Sequence, residues 1–139
     1  MRKGVTVRGV CAADKEFWFS LDKHISPAEF DKKAENKRGY VLFADGEPAG
    51  ILRYNLFWDN TPFCTMLFIG EGYRRKGYGA ELVGFWENEM AAAGYDFVLT
   101  STRADEEAQN FYRALGYRDC GSLILNGQPT EIFLCKNLR

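Results

Sequence analysis

The sequence predicts an α/β (α+β) chain in which one mixed, largely antiparallel, twisted sheet of about seven strands carries helices on both faces. Three observations lead there. Runs of β-formers and runs with helical spacing alternate in the order β-α-α-β-β-β-α-β-α-β-β. Two turn dipeptides, Asp45-Gly46 and Asn126-Gly127, join β-rich runs in the manner of hairpins. No repeat, low-complexity block or Pro/Ser-rich linker interrupts residues 1–139, which therefore read as a single domain.

Each element has its own signal. Residues 5–10 are β-rich and form the first strand. Asp14 then precedes Phe17, Trp18, Leu21 and Ile25, a helical stripe with the aspartate as its cap. Ser26-Pro27-Ala28-Glu29 opens a second helix. The serine caps, proline suits the first helical position, and the glutamate completes a capping box. Strands over 40–44 and 48–54 flank Asp45-Gly46, residues that accept the positive φ of a tight turn. Residues 55–62 read as irregular and 63–69 as the next strand. Leu82, Val83, Trp86, Met90 and Ala93 share one face of a helix over 80–93 that Gly94 ends. A short strand over 97–100 follows. Asp105 leads a helix bearing Ala108, Phe111, Tyr112 and Leu115, stopped by Gly116, and strands over 121–125 and 130–135 close the chain as a hairpin.

Composition limits the partners. The chain is 46% apolar and 15% aromatic, values of a globular protein. Eighteen Lys+Arg stand against nineteen Asp+Glu, giving a net charge of -1. General affinity for nucleic acid or an anionic membrane is thereby excluded, and any anion site must be local. No apolar run approaches the roughly 20 residues of a membrane span, and the first residues lack the apolar core of a signal peptide. Cys11, Cys64, Cys120 and Cys135 are scattered, with no CxxC pair and no neighbouring histidine. They predict neither a metal site nor a disulfide framework, but reduced thiols in a cytoplasm.

Against that balance, residues 72–80 concentrate charge: Gly72-Tyr73-Arg74-Arg75-Lys76-Gly77-Tyr78-Gly79-Ala80. The tract lies between a strand and an amphipathic helix. The first N–H groups of a helix have no internal partner and form the positive end of its dipole. Glycine lets an anion approach that backbone closely, and Arg74, Arg75 and Lys76 add charge where it helps. A P-loop kinase is excluded, because no Gly-Lys-Ser/Thr supplies the phosphate lysine and magnesium ligand. The bare pattern, Arg/Gln-x-x-Gly-x-Gly/Ala in its general form, arises by chance in about one chain in eight of this length, so it needs a second signal.

Residues 110–117 provide it. Arg74-x-x-Gly77-x-Gly79 after an apolar strand, with Asn110-Phe111-Tyr112-x-x-Leu115-Gly116-Tyr117 about thirty residues later, resembles the GCN5-related N-acetyltransferase (GNAT) family. Both signature segments are present, and the element order matches over nearly the whole chain. The resemblance implies a GNAT fold and acetyl-CoA as acetyl donor, with no metal. Arg74, Arg75, Lys76, Gly77, Tyr78, Gly79 and Ala80 would hold its pyrophosphate. Leu67, Phe68 and Ile69 would pair with the pantetheine arm and offer an N–H to the thioester oxygen, and Asn110 would hydrogen-bond the same arm. Tyr112, in the family's tyrosine position, would protonate the leaving thiolate, the alternative being a packing role on its apolar stripe; Tyr117 is expected to pack.

The base is less well marked. The strand before Arg103 reads Leu99-Thr100-Ser101-Thr102 and lacks the glutamate that N-terminal protein acetyltransferases carry there. Glu71, beside the cations, is the candidate in the tract, with Asp59 and a water relay as alternatives and His24 a surface residue. Residues 54–59 border the acceptor site in the family, and their aromatics Phe57 and Trp58 serve either the acceptor, the core or a homodimer contact. Cys64 and Cys120 have no adjacent base to make a thiolate, which favours direct transfer to an amine acceptor over an acetyl-enzyme. The alternative in another class is a non-catalytic acyl-CoA-binding module.

Overall fold

In the computed structural model, which describes all 139 residues, seven strands form one sheet in the order β1-β2-β3-β4-β5-β7-β6. The strands are β1 (Val5–Gly9), β2 (Gly39–Ala44), β3 (Glu47–Phe57), β4 (Thr61–Ile69), β5 (Phe97–Arg103), β6 (Arg118–Leu123) and β7 (Glu131–Asn137). Four helices accompany them: α1 (Lys15–Leu21), α2 (Pro27–Glu35), α3 (Tyr78–Ala92) and α4 (Ala108–Ala114). β4 and β5 run parallel, whereas β1–β2, β2–β3, β5–β7 and β6–β7 are antiparallel. The element order and the mixed sheet are those read from the sequence. No helix is long and apolar enough to cross a membrane.

The chain forms two compact units, Met1–Tyr54 with Met66–Trp86, and Asn55–Thr65 with Glu87–Arg139. In the first, strand alternation sorts the helices. Val41 and Ile51 join Val10, Trp18 and Phe30 in one buried cluster. The residue before Val41, Tyr40, points the other way and meets Phe85 of α3 edge-on at 5.4 Å. α1 and α2 therefore cover one face and α3 the opposite face. Trp18, Phe30 and Trp86 are fully buried, and a large apolar side chain so placed stabilises by about 1.5–3 kcal/mol. Beside Trp18, the Asp22 carboxylate accepts its indole N–H at 3.1 Å and the Arg53 Nε–H at 2.8 Å.

In the second unit, Val98, Thr100 and Thr102 point to one face of β5 and are buried, and α4 packs against that strand. Phe63 and Phe133 meet on the other face, with ring centroids 5.5 Å apart.

The local signals fared unevenly. Asp45 and Gly46 adopt φ of 49° and 84°, the expected tight turn. Ser26 accepts from the Glu29 N–H at 3.2 Å, the expected cap, but the Glu29 carboxylate lies toward Lys32 at 3.6 Å and does not complete the capping box. Asp14 does not cap α1: both its oxygens are taken by Arg8 at 2.8 Å, and one also accepts the Cys11 N–H. The bidentate ion pair outcompetes the cap. Residues 55–62 are not irregular. β3 and β4 run up to a tight turn in which Trp58 and Asp59 both take positive φ, 55° and 65°, a turn invisible without glycine. Of Asn126-Gly127 only the glycine has positive φ, and residues 124–130 form a wider loop. α3 starts at Tyr78, two residues earlier than its apolar stripe indicates.

Candidate functional site

The basic tract opens α3. A short 3-10 turn, Glu71–Tyr73, leaves β4, and the chain reverses through Arg75 (φ 63°) and Gly77 (φ 83°) before the helix begins. The first bond into the helix runs from the Glu81 N–H to the Gly77 carbonyl at 3.1 Å. The N–H groups of Tyr78, Gly79 and Ala80 thus form the open positive end of α3. A Cβ at Gly72 would meet nothing within 4 Å, so the tract's approach is open there.

Its cations are not equivalent. Arg74 folds back, donating Nε–H to the Ile69 carbonyl at 2.9 Å with its guanidinium 4.9 Å from the Phe68 ring centre. It ties the tract to the last residues of β4. Arg75 and Lys76 are exposed. A fourth cation escaped the sequence reading: Arg2 donates to the Lys76 carbonyl, lies 4.5 Å from the Tyr78 ring centre and comes within 3.7 Å of Glu81. Seventy-four residues separate Arg2 from Lys76, and no local pattern marks such a contact. Open N–H groups, a left-handed glycine and four cations fit a pyrophosphate. Glu71 is exposed in the 3-10 turn, and Leu67, Phe68 and Ile69 are half-buried on β4.

Tyr112 lies in the second unit, buried on α4, its ring 5.3 Å from Tyr117. Burial pushes its phenol well above the usual tyrosine range, reinforced by Cys64 and partly opposed by a hydrogen bond with the Thr100 side chain. Cys64 and Thr100 are themselves register partners across the parallel β4–β5 ladder, and Thr100 Oγ1 donates to the Cys64 carbonyl at 3.2 Å. Tyr117 does more than pack. Its hydroxyl donates to Glu87 at 2.8 Å, and Glu87 also receives Lys136 at 2.9 Å. Burial, with Glu87 second, raises the Tyr117 pKa far above its ordinary value. Asn110 is exposed and donates its amide to Glu107 at 3.0 Å.

Of the remaining candidates, Asp59 sits exposed in the β3–β4 turn, and His24 follows α1, its backbone N–H on Asp22. One carboxylate went unremarked in the sequence. Glu131, half-buried on β7, accepts the Ser101 hydroxyl at 2.8 Å. Ser101 and Thr100 are consecutive, so Tyr112 and Glu131 address opposite faces of β5.

The fold has many relatives among solved structures. Ard1 from Thermoplasma volcanium superposes with a TM-score of 0.84 at 17% identity, covering 96% of this chain and 97% of that one. The ribosomal-protein-S18-alanine N-acetyltransferase of Escherichia coli follows at 0.78 and 18%, covering 96% and 94%. A GNAT family acetyltransferase from Elizabethkingia anophelis, solved with acetyl-CoA bound, gives 0.76 and 15%, covering 98% and 99%. At such identities the likeness speaks for the fold. No curated protein matches the chain by sequence. The family model described as "Acetyltransferase (GNAT) family" matches residues 8–117, most of the chain, and the chain accordingly belongs to the GNAT family of acetyltransferases.

Proposed function

We propose that this chain transfers the acetyl group of acetyl-CoA directly to a primary amine of a small molecule or peptide. The observation that carries the reading is the open N-terminus of α3 among Arg2, Arg74, Arg75 and Lys76, a set of groups suited to pyrophosphate in a nearly neutral protein. The acetyl-CoA bound to the Elizabethkingia anophelis relative supports the same donor.

The chemistry needs a neutral amine, a stabilised oxyanion and a leaving thiolate. The nitrogen lone pair attacks the thioester carbonyl, the C–N bond forms, and the C–S bond breaks. The ammonium proton passes to solvent, and the thiolate recovers a proton to leave as free CoA thiol. A backbone N–H of β4 aimed at the oxyanion contributes about 3 kcal/mol in comparable sites. Tyr112 serves as the donor to sulfur. The leaving thiol has a pKa of about 8.5, below that of the buried phenol. The phenol is therefore protonated whenever the sulfur departs and stabilises it by donation.

Two measurements test the reading together: the melting temperature with millimolar acetyl-CoA, and release of free CoA over a panel of amines. A rise in melting temperature with thiol release on one or more amines is the expected result. No thermal shift at millimolar donor refutes it, and a shift with a silent amine panel reassigns the chain as an acyl-CoA-binding module.

A further inference from the structure

The second unit holds an apolar cavity of about 480 Å³ whose walls include Phe57, Trp58, Phe97, Leu99, Leu123 and Phe133. That volume lies within the range of small-molecule sites. Strands and the β3–β4 turn supply the whole lining. Two wall residues are unusually open for their size, Trp58 at 80% exposure and Leu123 at 48%.

The strand register places one anion at the edge of this cavity. Leu123 on the wall pairs with Glu131, and Phe133 on the wall pairs with Ser101. Glu131 precedes Phe133 on the same face of β7, two residues away, on the order of 7 Å along the strand. The Ser101 hydroxyl orients the carboxylate at 2.8 Å without neutralising it. Arg103, its neighbour on β5, has turned its guanidinium to Asp105 at 2.9 Å. A half-buried carboxylate held only by a neutral hydroxyl lacks the charge compensation that such a group normally has. An apolar bed with an uncompensated anion at its end is complementary to a cation with an apolar body.

Resting on the acetyltransfer reading above, we propose that the cavity and Glu131 form the acceptor subsite for a primary amine bearing an aromatic or branched apolar group. Its body lies among Phe57, Leu99 and Phe133, and its ammonium pairs with Glu131 on docking, then gives up one proton to solvent before the nitrogen lone pair attacks. Asp59, the acidic residue beside the same aromatics in sequence, sits in the exposed turn, so the structure assigns the carboxylate role to Glu131 instead. Thr100 and Ser101 divide the work across β5: the hydroxyl of Tyr112 lies on one face and the amine-binding carboxylate on the other.

Phenylethylamine, ethylamine and phenylacetate test this on the intact protein. Trp18 and Trp86 are fully buried, so Trp58 is the tryptophan whose fluorescence reports ligand in the cavity. Phenylethylamine is expected to change that fluorescence saturably, phenylacetate not. In the CoA-release assay the KM for phenylethylamine should lie at least tenfold below that for ethylamine. Glu131→Gln should raise it tenfold or more with the acetyl-CoA thermal shift intact. Gly121→Phe, whose Cβ meets nothing within 4 Å and whose ring would fill the cavity, should remove the preference for phenylethylamine over ethylamine with the acetyl-CoA thermal shift intact. Equal KM values for the two amines, or an unchanged KM in Glu131→Gln, overturn the proposal. So does a dimer by sedimentation whose Trp58 fluorescence ignores phenylethylamine, which would make this face a contact between two copies. Loss of the acetyl-CoA thermal shift in the unmodified protein sinks the donor reading instead, and the fluorescence titration still judges the subsite.

Discussion

Gly77→Ala is the sharpest probe of the tract before α3, because the structure separates its two consequences. Gly77 holds φ of 83°, while the Cβ of an alanine would come no nearer than 3.5 Å to Arg2, an ordinary contact. The cost is therefore conformational rather than steric: the left-handed region penalises a side chain by about 1–2 kcal/mol. For 139 residues, at about 2.1 cal/mol/K of unfolding entropy per residue, this lowers the melting temperature by about 3–7 °C. If the backbone relaxes to escape the strain, the N–H groups at the start of α3 lose their aim. Losing one hydrogen bond to a charged phosphate costs about 1.5–3 kcal/mol, or roughly 10- to 150-fold in acetyl-CoA affinity. Gly72→Ala is the matched control, since Gly72 has no positive φ and its Cβ meets nothing within 4 Å. Differential scanning fluorimetry with and without acetyl-CoA, plus calorimetric titration of the donor, reads both effects. If the two variants behave alike in melting and in donor affinity, the argument from Gly77 geometry is wrong.

Two further expectations follow from buried groups. Tyr112→Phe should lower kcat for CoA release by about 10²-fold or more, the usual contribution of a positioned acid, while acetyl-CoA affinity stays within about twofold; unchanged turnover would reduce Tyr112 to a core residue. Asp22 is subject to burial, which raises its pKa, but hydrogen bonds from Arg53, His24 and Trp18 prevail and hold it below the usual range. Its folded pKa is thus depressed, so its stabilisation is complete above the unfolded value of about 3.9 and fades as pH falls through the folded one. The Asp22→Asn variant should lose about 3 kcal/mol or more at neutral pH, because Arg53 is largely buried beside it. Urea melts of this variant should also lack part of the drop in stability that the natural protein shows below about pH 4; a parallel pH profile would refute the assignment.

Much of this protein was fixed by residues close together in the chain. Helical spacing, the Ser26 cap and the Asp45-Gly46 turn depend on neighbours within four residues, so periodicity and turn chemistry were enough to order the elements. The GNAT resemblance was legible for the same reason, because residues 72–80 and 110–117 are each contiguous. Local signals failed where a distant or competing partner intervened. Asp14 went to Arg8 rather than to its helix, and Trp58-Asp59 made a tight turn without glycine.

What only the tertiary structure decided is the company each functional group keeps. Arg2 reaches the basic tract across 74 residues, and Tyr112 gains its raised pKa from burial and from Cys64, 48 positions earlier. Glu131 acquires meaning solely through the register of β5, β6 and β7, which sets it beside Ser101 and at the edge of an aromatic cavity. A sequence records which groups a chain owns. Desolvation and pairing, which determine what those groups do, depend on distances that only folding sets.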